Sequence, residues 1–265
     1  MPQTDAVAGV PGVPSYTVTH IYGPQRNFAL VIPVINENGR LVRQLERLKN
    51  HAPEVDIIVA DGGSTDGSTE LGRLKGLGVT SLLTKTDAGK LSAQLRMAFH
   101  HCLTHGYEAI VTMDGNDKDG VDGVSRIVTR LIQGYDFVQG SRFTFGGQAI
   151  NTPWSRLIAI RVIHAPITSL AAGHWFTDTT NGFRGYSRRF LEDPAVAPFR
   201  EEFQTYALLA YLPIRAARLG YRVAEVPVTR AYPSSEPVPT KIVGTSAHLH
   251  MLTILGKAAV GRYNP

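Results

Sequence analysis

The strongest constraint on the fold of this chain is an alternation of short apolar runs with helical patterns. The apolar runs are FALVIPV (28–34), DIIVA (56–60), AIVTM (109–113), DFVQGS (136–141) and RVAEVPV (222–228). Continuous apolar strands separated by helices are typical of a parallel sheet that is covered on both faces. We therefore expect an α/β fold with a mostly parallel central sheet flanked by helices.

The two ends of the chain lack this alternation. Residues 1–27 are rich in Gly, Pro and Val and have no periodicity, which predicts an extended or disordered lead-in before a fold that begins at Phe28. Residues 28–241 are then predicted to form one domain, and residues 242–265 a helical tail.

Charge and cysteine content limit the classes of partner. The formal net charge of +5 favours anionic partners such as phosphates or acidic lipids. We expect no nucleic-acid partner, because the chain has no RNP-like aromatic signature, zinc-finger spacing or basic helix. The single Cys102 excludes an intramolecular disulfide, and no apolar run reaches about eighteen residues, so we expect a cytoplasmic protein.

Polar loops follow three of the predicted strands. Asn36 and Glu37 follow the first, DGGSTDG (61–67) the second and DGNDKDG (114–120) the third. The carboxyl ends of parallel strands meet at one edge of a sheet, where open α/β proteins bind ligands. The three loops therefore predict a binding site.

The third loop has the composition of a metal site. Its oxygen-bearing side chains are Asp114, Asn116, Asp117 and Asp119. Such ligands suit Mg²⁺ or Mn²⁺, and a divalent ion would in turn bind a diphosphate. Ser125 stands where an EF-hand loop has Glu, which excludes that motif. A solvated turn is the alternative that the residues leave open.

The second loop and the segment after it offer groups that bind nucleotides. The Gly-rich turn and Asp61 suit a base or ribose, although Ser64 and Thr65 serve equally well as an N-cap. Lys90 follows Gly89 as in a P-loop, but Leu91 replaces the Ser or Thr of that motif, so Lys90 stays only a candidate phosphate contact. The histidines at 100–105 lack an apparent fourth zinc ligand, which favours ordinary histidines on a helix surface.

In chain order, seven segments resemble the motif series of family 2 glycosyltransferases of the GT-A fold. They are VIPVINENGRL, DGGSTDGS, GKLSAQLRMAF, TMDGNDKD, GSRF, TDTTNGFRGYS and GYRVAEVPV. Within that family the chain resembles the dolichol-phosphate mannose synthases and related polyprenyl-phosphate sugar transferases. The resemblance implies an inverting transfer of a sugar from a nucleoside-diphosphate donor to a polyprenyl-phosphate acceptor, with Mg²⁺ or Mn²⁺ neutralising the departing diphosphate.

The resemblance also implies roles for individual residues. Pro33, Glu37 and Asp61 match positions that line the base and ribose. The implied metal ligands are Asp114, Asn116 and Asp117. Because the family's Asp-x-Asp reads Asp114-Gly115-Asn116 here, the side chain that joins Asp114 on the metal stays open.

Other implied roles concern catalysis and phosphate binding. Arg142 and Arg184 match segments that face the acceptor. The predicted catalytic residues are Asp114, Asp178, Arg142 and Arg184. The remaining predicted contacts with donor or acceptor are Lys90, Arg96, Arg156, Arg230 and Lys241.

The acceptor is suggested by one departure from the family. The helix at 203–219 usually carries an acidic residue in this family and carries none here. A phosphate acceptor is ionised at neutral pH and needs no general base, whereas a hydroxyl acceptor needs one. This favours a phosphate, although Asp178, Glu201 and Glu202 stay open as bases.

A lipid-linked acceptor implies peripheral contact with the inner face of a membrane. The helix at 157–172 and the tail at 242–259, with Arg161, Lys241 and Lys257, suit such an interface. Core packing or a homodimer contact are the alternatives. Three other functions stay open: a soluble glycosyltransferase with a hydroxyl acceptor, a catalytically silent nucleotide-sugar-binding subunit and a nucleotidyltransferase.

Overall fold

A nine-stranded sheet forms the centre of the computed structural model, which describes residues 3–52, 54–233 and 244–265. The strands are β1 (Gln3–Val7), β2 (Tyr16–His20), β3 (Phe28–Val34), β4 (Val55–Asp61), β5 (Val79–Lys85), β6 (Ala109–Thr112), β7 (Phe137–Ser141), β8 (Gln148–Ile150), β9 (Arg184–Ser187), β10 (Val223–Pro227) and β11 (Thr229–Ala231). Their order in the main sheet is β1-β2-β5-β4-β3-β6-β9-β7-β10, and β8 pairs with β11 in a separate ribbon.

The main sheet is parallel in its centre and antiparallel at two places. Strands β5, β4, β3 and β6 run parallel, as the apolar runs predicted. Strand β9 is inserted antiparallel between β6 and β7, and β1 and β2 extend the far edge as an antiparallel pair. Strand β4 is buried at every residue, which is why its sequence is continuously apolar apart from its two Asp residues.

Helices cover both faces of the sheet. They are α1 (Gly39–His51), α2 (Leu71–Gly76), α3 (Leu91–Thr104), α4 (Gly123–Ile132), α5 (Trp154–Ile158), α6 (Ala165–Ala172), α7 (Arg188–Glu192), α8 (Ala207–Arg218) and α9 (Thr245–Ala259), with a π-helical segment at Ala159–His164. One core cluster lies under α3, α8 and α9, and a second lies under α1 and α4. The prediction of an α/β sheet flanked by helices is thus confirmed.

The start of the fold differs from the expectation. Residues 3–7 and 16–20, which were expected in an extended or disordered lead-in before the fold, are strands of the main sheet, and β2 pairs with β5 along its whole length. Tyr16 and Val18 are buried in the core beside α3. The fold therefore begins before Phe28, since β2 joins the sheet through β5 and β1 joins it through β2.

The predicted apolar helix and the helical tail meet in the structure. The helix runs through α5, the π-helical segment and α6. Ile254, Leu255 and Ala258 of α9 are buried, and α9 packs against α6 and α8. Within the part of the chain described above, no helix combines the length and apolar character needed to cross a membrane.

Candidate functional site

The three polar loops lie together at the carboxyl ends of β4, β3 and β6, which are neighbours in the sheet. The first two loops are tied by reciprocal hydrogen bonds: the Asn36 N–H donates to Ser64 Oγ (3.0 Å), and the Thr65 N–H donates to Asn36 Oδ1 (2.8 Å). Asn36 and Asn38 both have positive φ angles, of 51° and 50°, so this loop turns sharply. The prediction that the three loops meet at one edge of the sheet, here called the rim, is confirmed.

The residues predicted to bind the nucleotide lie at this rim. Glu37 is buried, with Oε2 3.7 Å from the Arg40 guanidinium. Asp61 is also buried, and its Oδ1 accepts hydrogen bonds from the Gly63 and Ser64 N–H groups (3.2 and 2.9 Å) and from Ser64 Oγ (2.7 Å). Asp61 therefore stabilises the backbone of the Gly-rich turn by accepting these hydrogen bonds. Its contact with a ribose stays a prediction.

Two features of this region differ from the sequence analysis. Ser64 and Thr65 are not an N-cap, because α2 begins at Leu71. Lys85 is a buried cation at the end of β5, and the pKa of its amine is lowered by burial, with Asp87 and Asp61 acting in the opposite direction. Sequence reasoning missed Lys85 because it missed the strand that carries it.

The third loop is organised around Arg230, which lies 111 residues from Asp119 in sequence. Its Nη1 donates to Asp119 Oδ2 (2.6 Å) and to Asn181 Oδ1 (3.2 Å), and its Nη2 donates to Asp114 Oδ2 (2.9 Å). Asp119 and Arg230 also form a backbone bridge that joins the loop to β11. Asp114, whose side chain is 26% exposed, is the accessible member of this network.

Lys118 and Tyr232 extend the network. The Lys118 amine lies 5.0 Å from the centre of the Tyr232 ring, and Arg156 donates to the Tyr232 hydroxyl (2.8 Å). Burial and Arg230 lower the pKa of Lys118 to about 8, while Asp114 acts to raise it. Burial alone would raise the pKa of Tyr232, but Arg230 and the other cations outweigh burial and lower it. The network thus brings the predicted residues Asp114, Arg156 and Arg230 together.

Asp114 also borders a small cavity at the ends of β3 and β6. The cavity is lined by Pro33, Leu91, Leu95, Thr112, Asp114, Gly182, Tyr186 and Leu209. A Cβ atom on Gly182 would lie only 2.7 Å from Asp114 Oδ1, so this position requires a glycine if the carboxylate is to stay in place. Pro33, predicted to line the donor site, therefore shares a cavity with Asp114.

Comparison with known proteins places this fold and rim in a family. The profile of glycosyl transferase family 2 matches residues 29–193. The chain belongs to this family. It is a glycosyltransferase, as the motif series predicted, and its sheet of parallel strands flanked by helices is a GT-A fold.

Named relatives of this glycosyltransferase cover most of its length. A polyprenol monophosphomannose synthase from Mycolicibacterium smegmatis is 29% identical over 78% of this chain and 78% of that protein. An undecaprenyl-phosphate mannosyltransferase from Micrococcus luteus is 30% identical over 75% and 81%. A glucosyl-3-phosphoglycerate synthase from Mycobacterium tuberculosis, crystallised with Mn²⁺, UDP-glucose and phosphoglyceric acid, superposes with a TM-score of 0.63 and 16% identity over 89% of this chain and 80% of that one. That last likeness concerns the fold alone.

The predicted metal ligands of this glycosyltransferase converge only in part, because the Asn116 side chain hydrogen-bonds Asp114 whereas Asp117 lies elsewhere. Asp117, with a positive φ of 58°, turns its carboxylate towards α1, where Arg43 and Arg47 each lie 3.2 Å from it. Asp114 shares Arg230 with Asp119. Within the described residues, no three His, Cys, Asp or Glu side chains are grouped so as to hold a metal ion. Asp117 is therefore held away from Asp114 by Arg43 and Arg47, and a metal-binding role for Asp114 and Asn116 stays a prediction.

The predicted catalytic residues Arg142 and Asp178 form a closed ion pair. Arg142 Nε and Nη2 donate to the two carboxylate oxygens of Asp178 (2.6 and 2.8 Å), and the side chains are only 2% and 0% exposed. The Arg142 N–H and Thr180 complete the arrangement. This geometry favours a structural role, and the catalytic role of the pair stays a prediction.

Two other predicted arginines hold backbone segments. The buried Arg184 guanidinium donates to the carbonyl oxygens of Asn181, Leu209 and Thr179 (2.9, 2.7 and 2.8 Å). Arg96, also buried, donates to the carbonyl oxygens of Phe203 (3.1 Å) and Gly12. Both guanidiniums are committed to carbonyls, which favours structural roles over the predicted contacts with substrate.

The remaining predicted positions differ in how far the structure defines them. Lys90 is exposed at the N-terminus of α3, where its N–H donates to the Gln204 carbonyl (2.7 Å). Lys241 lies outside the described residues. His101, expected on a helix surface, is instead buried between α3 and β2, with its ring centre 4.1 Å from that of His105.

Proposed function

We propose that this glycosyltransferase moves a sugar from a nucleoside-diphosphate donor to the phosphate of a polyprenyl phosphate, with inversion at the anomeric carbon. Three relatives support the acceptor: their names refer to polyprenol monophosphomannose, undecaprenyl-phosphate and dolichyl-phosphate. The relative that is crystallised with UDP-glucose supports the class of donor through its fold.

The observation that carries the proposal is a series of contacts that contains two arginines and links the sheet rim to an exposed apolar helix. Asp114 binds Arg230 at the rim, and Tyr232 follows Arg230 by two residues. Arg156 of α5 binds the Tyr232 hydroxyl. Guanidinium groups are preferred partners of phosphate oxygens. A phosphate acceptor with a lipid tail therefore has cations at the rim and an apolar surface beside them.

The chemistry requires no general base for such an acceptor. An ionised phosphate oxygen forms the new bond to the anomeric carbon while the bond from that carbon to the donor diphosphate breaks, and no proton moves. The acidic residues left open as bases are otherwise placed: Asp178 is paired with Arg142, Glu202 lies 2.5 Å from Arg200, and Glu201 is exposed. These placements support a phosphate over a hydroxyl acceptor.

A divalent metal is a separate prediction for this protein. Mg²⁺ or Mn²⁺ would neutralise the departing diphosphate. Because Asp114, Asn116 and Asp117 do not form one ligand set here, no step of the proposed transfer depends on a bound ion.

An assay with paired acceptors tests the proposal. The protein is incubated with UDP-, GDP-, CDP- and dTDP-sugars and either a polyprenyl phosphate or the matching polyprenol, and the products are identified by mass spectrometry. We expect a glycosylated product from the phosphate and not from the alcohol. Equal transfer to the alcohol, or transfer to soluble acceptors without lipid, would show a hydroxyl-directed enzyme. Donor binding without transfer or hydrolysis would show a silent subunit.

We also propose that the outer face of the helix at 154–162 contacts the membrane that holds the acceptor. Trp154 and Val162 are 74% and 66% exposed, and Ile158 lies between them at helical spacing on the same face. Arg161 is exposed beside them, where anionic headgroups would be attracted.

Flotation with anionic vesicles tests the membrane contact. We expect the wild-type protein to float and the Trp154→Ser, Val162→Ser variant to stay at the bottom. Ile132→Ser is the matched control, since Ile132 is equally exposed on the distant helix α4. If the wild-type protein does not float but elutes as a dimer that the double variant abolishes, this face is a homodimer contact instead.

A further inference from the structure

We propose that Lys118 and Arg230 supply the positive charge that neutralises the donor diphosphate, so that this glycosyltransferase works without a divalent metal ion. The inference rests on the proposed nucleoside-diphosphate donor and concerns how that donor is held. It begins from the mismatch between the acidic loop and a metal site.

The partly exposed carboxylate of Asp114 and the buried carboxylate of Asp119 are already neutralised. Arg230 bridges Asp114 and Asp119 with contacts of 2.9 and 2.6 Å. Lys118 is buried in the same loop and lies within electrostatic range of both carboxylates. These four side chains carry two negative and two positive charges. A divalent cation placed among them would meet two fixed cations of like sign.

The other two candidates in the loop do not alter this balance. Asn116 is neutral, so it adds an oxygen but no charge. Asp117 carries a charge, but Arg43 and Arg47 both contact its carboxylate. The loop and its immediate partners therefore carry one positive charge in total. Such an environment attracts a diphosphate anion, whereas a metal ion in a phosphate site is usually held by one or two carboxylates together with the substrate phosphates, and the carboxylates of this loop are already paired with cations.

Two buried oxygens in the loop can accept hydrogen bonds from a ligand. Of the three loop oxygens that have no hydrogen-bond partner among the described residues, Asp117 Oδ1 is ion-paired with Arg47, which leaves Asn116 Oδ1 and Asp119 Oδ1. Both can accept hydrogen bonds from sugar hydroxyls or from water, and such contacts satisfy a buried acceptor. Because the second oxygen of Asp119 contacts Arg230, an ion on Asp119 Oδ1 would lie beside the guanidinium.

The position of Lys118 is fixed by the fold. Its carbonyl accepts a hydrogen bond from the Ala231 N–H (2.8 Å), and its amine lies over the ring of Tyr232. Arg230 contacts Asp114, which lines the cavity, and Lys118 lies in the loop segment that pairs with Arg230. A cation held in this way is organised before the donor arrives, which is what stabilisation of a departing anion requires.

Calorimetric titration of nucleoside diphosphates in EDTA and in Mn²⁺ tests the inference. The probes are UDP, GDP, CDP and dTDP, followed by transfer assays in both buffers. We expect one diphosphate to bind with Kd values that agree within about threefold between buffers, a difference below 1 kcal/mol. Binding or transfer only in Mn²⁺ would overturn the inference and leave the proposed function intact. Absence of binding in both buffers would overturn both.

Substitution of Lys118 provides an independent measurement. We expect Lys118→Gln to weaken diphosphate binding in EDTA by at least about tenfold, while binding of the matching nucleoside is unchanged, because only the phosphates contact the lost charge. Lys75→Gln is the matched control, since Lys75 is exposed on α2. Equal diphosphate affinity in Lys118→Gln and wild type would show that Lys118 does not contact the donor.

A second variant restores a metal-binding composition. Asn116→Asp with Lys118→Gln removes one positive charge and adds one carboxylate beside Asp114. We expect Mn²⁺ to increase diphosphate affinity in this variant by at least about tenfold, although it has little effect on wild type. A strong Mn²⁺ effect already present in wild type would contradict the inference.

Discussion

The Arg142–Asp178 pair and the Arg230 network are both buried ion pairs near the carboxyl end of the sheet, but their carboxylates differ in what else they contact. Both oxygens of Asp178 are bonded to Arg142, and the pair is almost fully buried. In the Arg230 network, Asp119 Oδ1 has no partner among the described residues, and Asp114 remains partly exposed at the cavity.

This difference supports a structural role for the Arg142–Asp178 pair and the proposed binding role for the Arg230 network. Buried polar groups are normally hydrogen-bonded, so Asp119 Oδ1, which has no partner among the described residues, can accept a further hydrogen bond. Both oxygens of Asp178 are instead already bonded to Arg142. A position at a strand end makes a residue a candidate for the functional site. Whether its hydrogen bonds are already complete within the fold then separates a structural role from a binding role.

The largest effect is expected from Asp178→Asn. Removing one partner of a buried ion pair leaves the Arg142 charge uncompensated, which costs about 3–5 kcal/mol of the free energy of unfolding. Urea denaturation measures this loss. The control is Glu192→Gln, because Glu192 and Arg188 form an exposed pair of the same 2.6 Å length as Arg142–Asp178. A loss below about 1 kcal/mol for Asp178→Asn would remove the structural assignment.

The next largest effect is expected from Asp114→Asn, and it concerns activity. We expect transfer to fall at least about 100-fold, which corresponds to about 2.7 kcal/mol, because the substitution removes the charge that orients Arg230 at the cavity. Stability should change less than in Asp178→Asn, since Asp114 is partly exposed.

The matched control for Asp114→Asn is Asp122→Asn. Asp122 forms an exposed ion pair with Arg126 of α4, at 2.6 Å, and it is not among the residues that line the cavity. Near-normal turnover in Asp114→Asn would contradict the placement of Asp114 in the site. Loss of folding in that variant would place Asp114 with Asp178 as a structural residue.

The contrast between these sites also explains what the sequence predicts and what it does not. The strands at 28–34 and 56–60 were predictable because burial on both faces makes their sequences continuously apolar. Strand β1 was not, because its residues Gln3–Asp5 are exposed and polar and its pairing depends on β2. The rim was predictable from the sheet topology, because the three polar loops follow parallel strands whose carboxyl ends lie at one edge of the sheet.

The partners within the rim were less predictable. Arg230 contacts Asp114 across 116 residues, and Arg142 contacts Asp178 across 36. The residue types and motifs identified all four as candidates, but no periodicity pairs them. Lys118 was inconspicuous because a lysine in an acidic loop is usually solvated, and only the pairing of the loop with β11 buries it.

A third buried polar group, His101, differs from both ion pairs because its charged neighbours among the described residues are histidines and not carboxylates. It faces His105, His100 and His20, and His20 in turn pairs with Asp5 (3.4 Å). Burial and these neighbouring histidines lower the pKa of His101 to about 3. The unfolded chain therefore binds this proton more readily, so the stability from neutral His101 is complete above about pH 6.5 and declines as the pH falls towards 3.

We expect the free energy of unfolding to fall by up to about 2 kcal/mol between pH 6.5 and 5 because His101 is buried in its neutral form. Urea denaturation at both pH values measures the effect, and His101→Gln should flatten the pH dependence. His51→Gln is the control, because His51 is exposed at the end of α1. An unchanged slope in His101→Gln would show that His101 does not titrate in this range.

The smallest effect is expected from Gly182→Ala, which tests whether the Asp114 carboxylate must keep its position beside Arg230. The new methyl group would lie 2.7 Å from Asp114 Oδ1, so the carboxylate must move away from its position on Arg230. We expect transfer to fall about tenfold, or about 1.4 kcal/mol, with a smaller change in stability because the displaced side chain can rotate towards solvent. Gly76→Ala is the control, since no atom of the described residues lies within 4 Å of a Cβ there. Full transfer in Gly182→Ala would mean that the position of the Asp114 carboxylate is not critical for transfer. The proposed binding role of the Arg230 network would then rest on Arg230 and Lys118 alone.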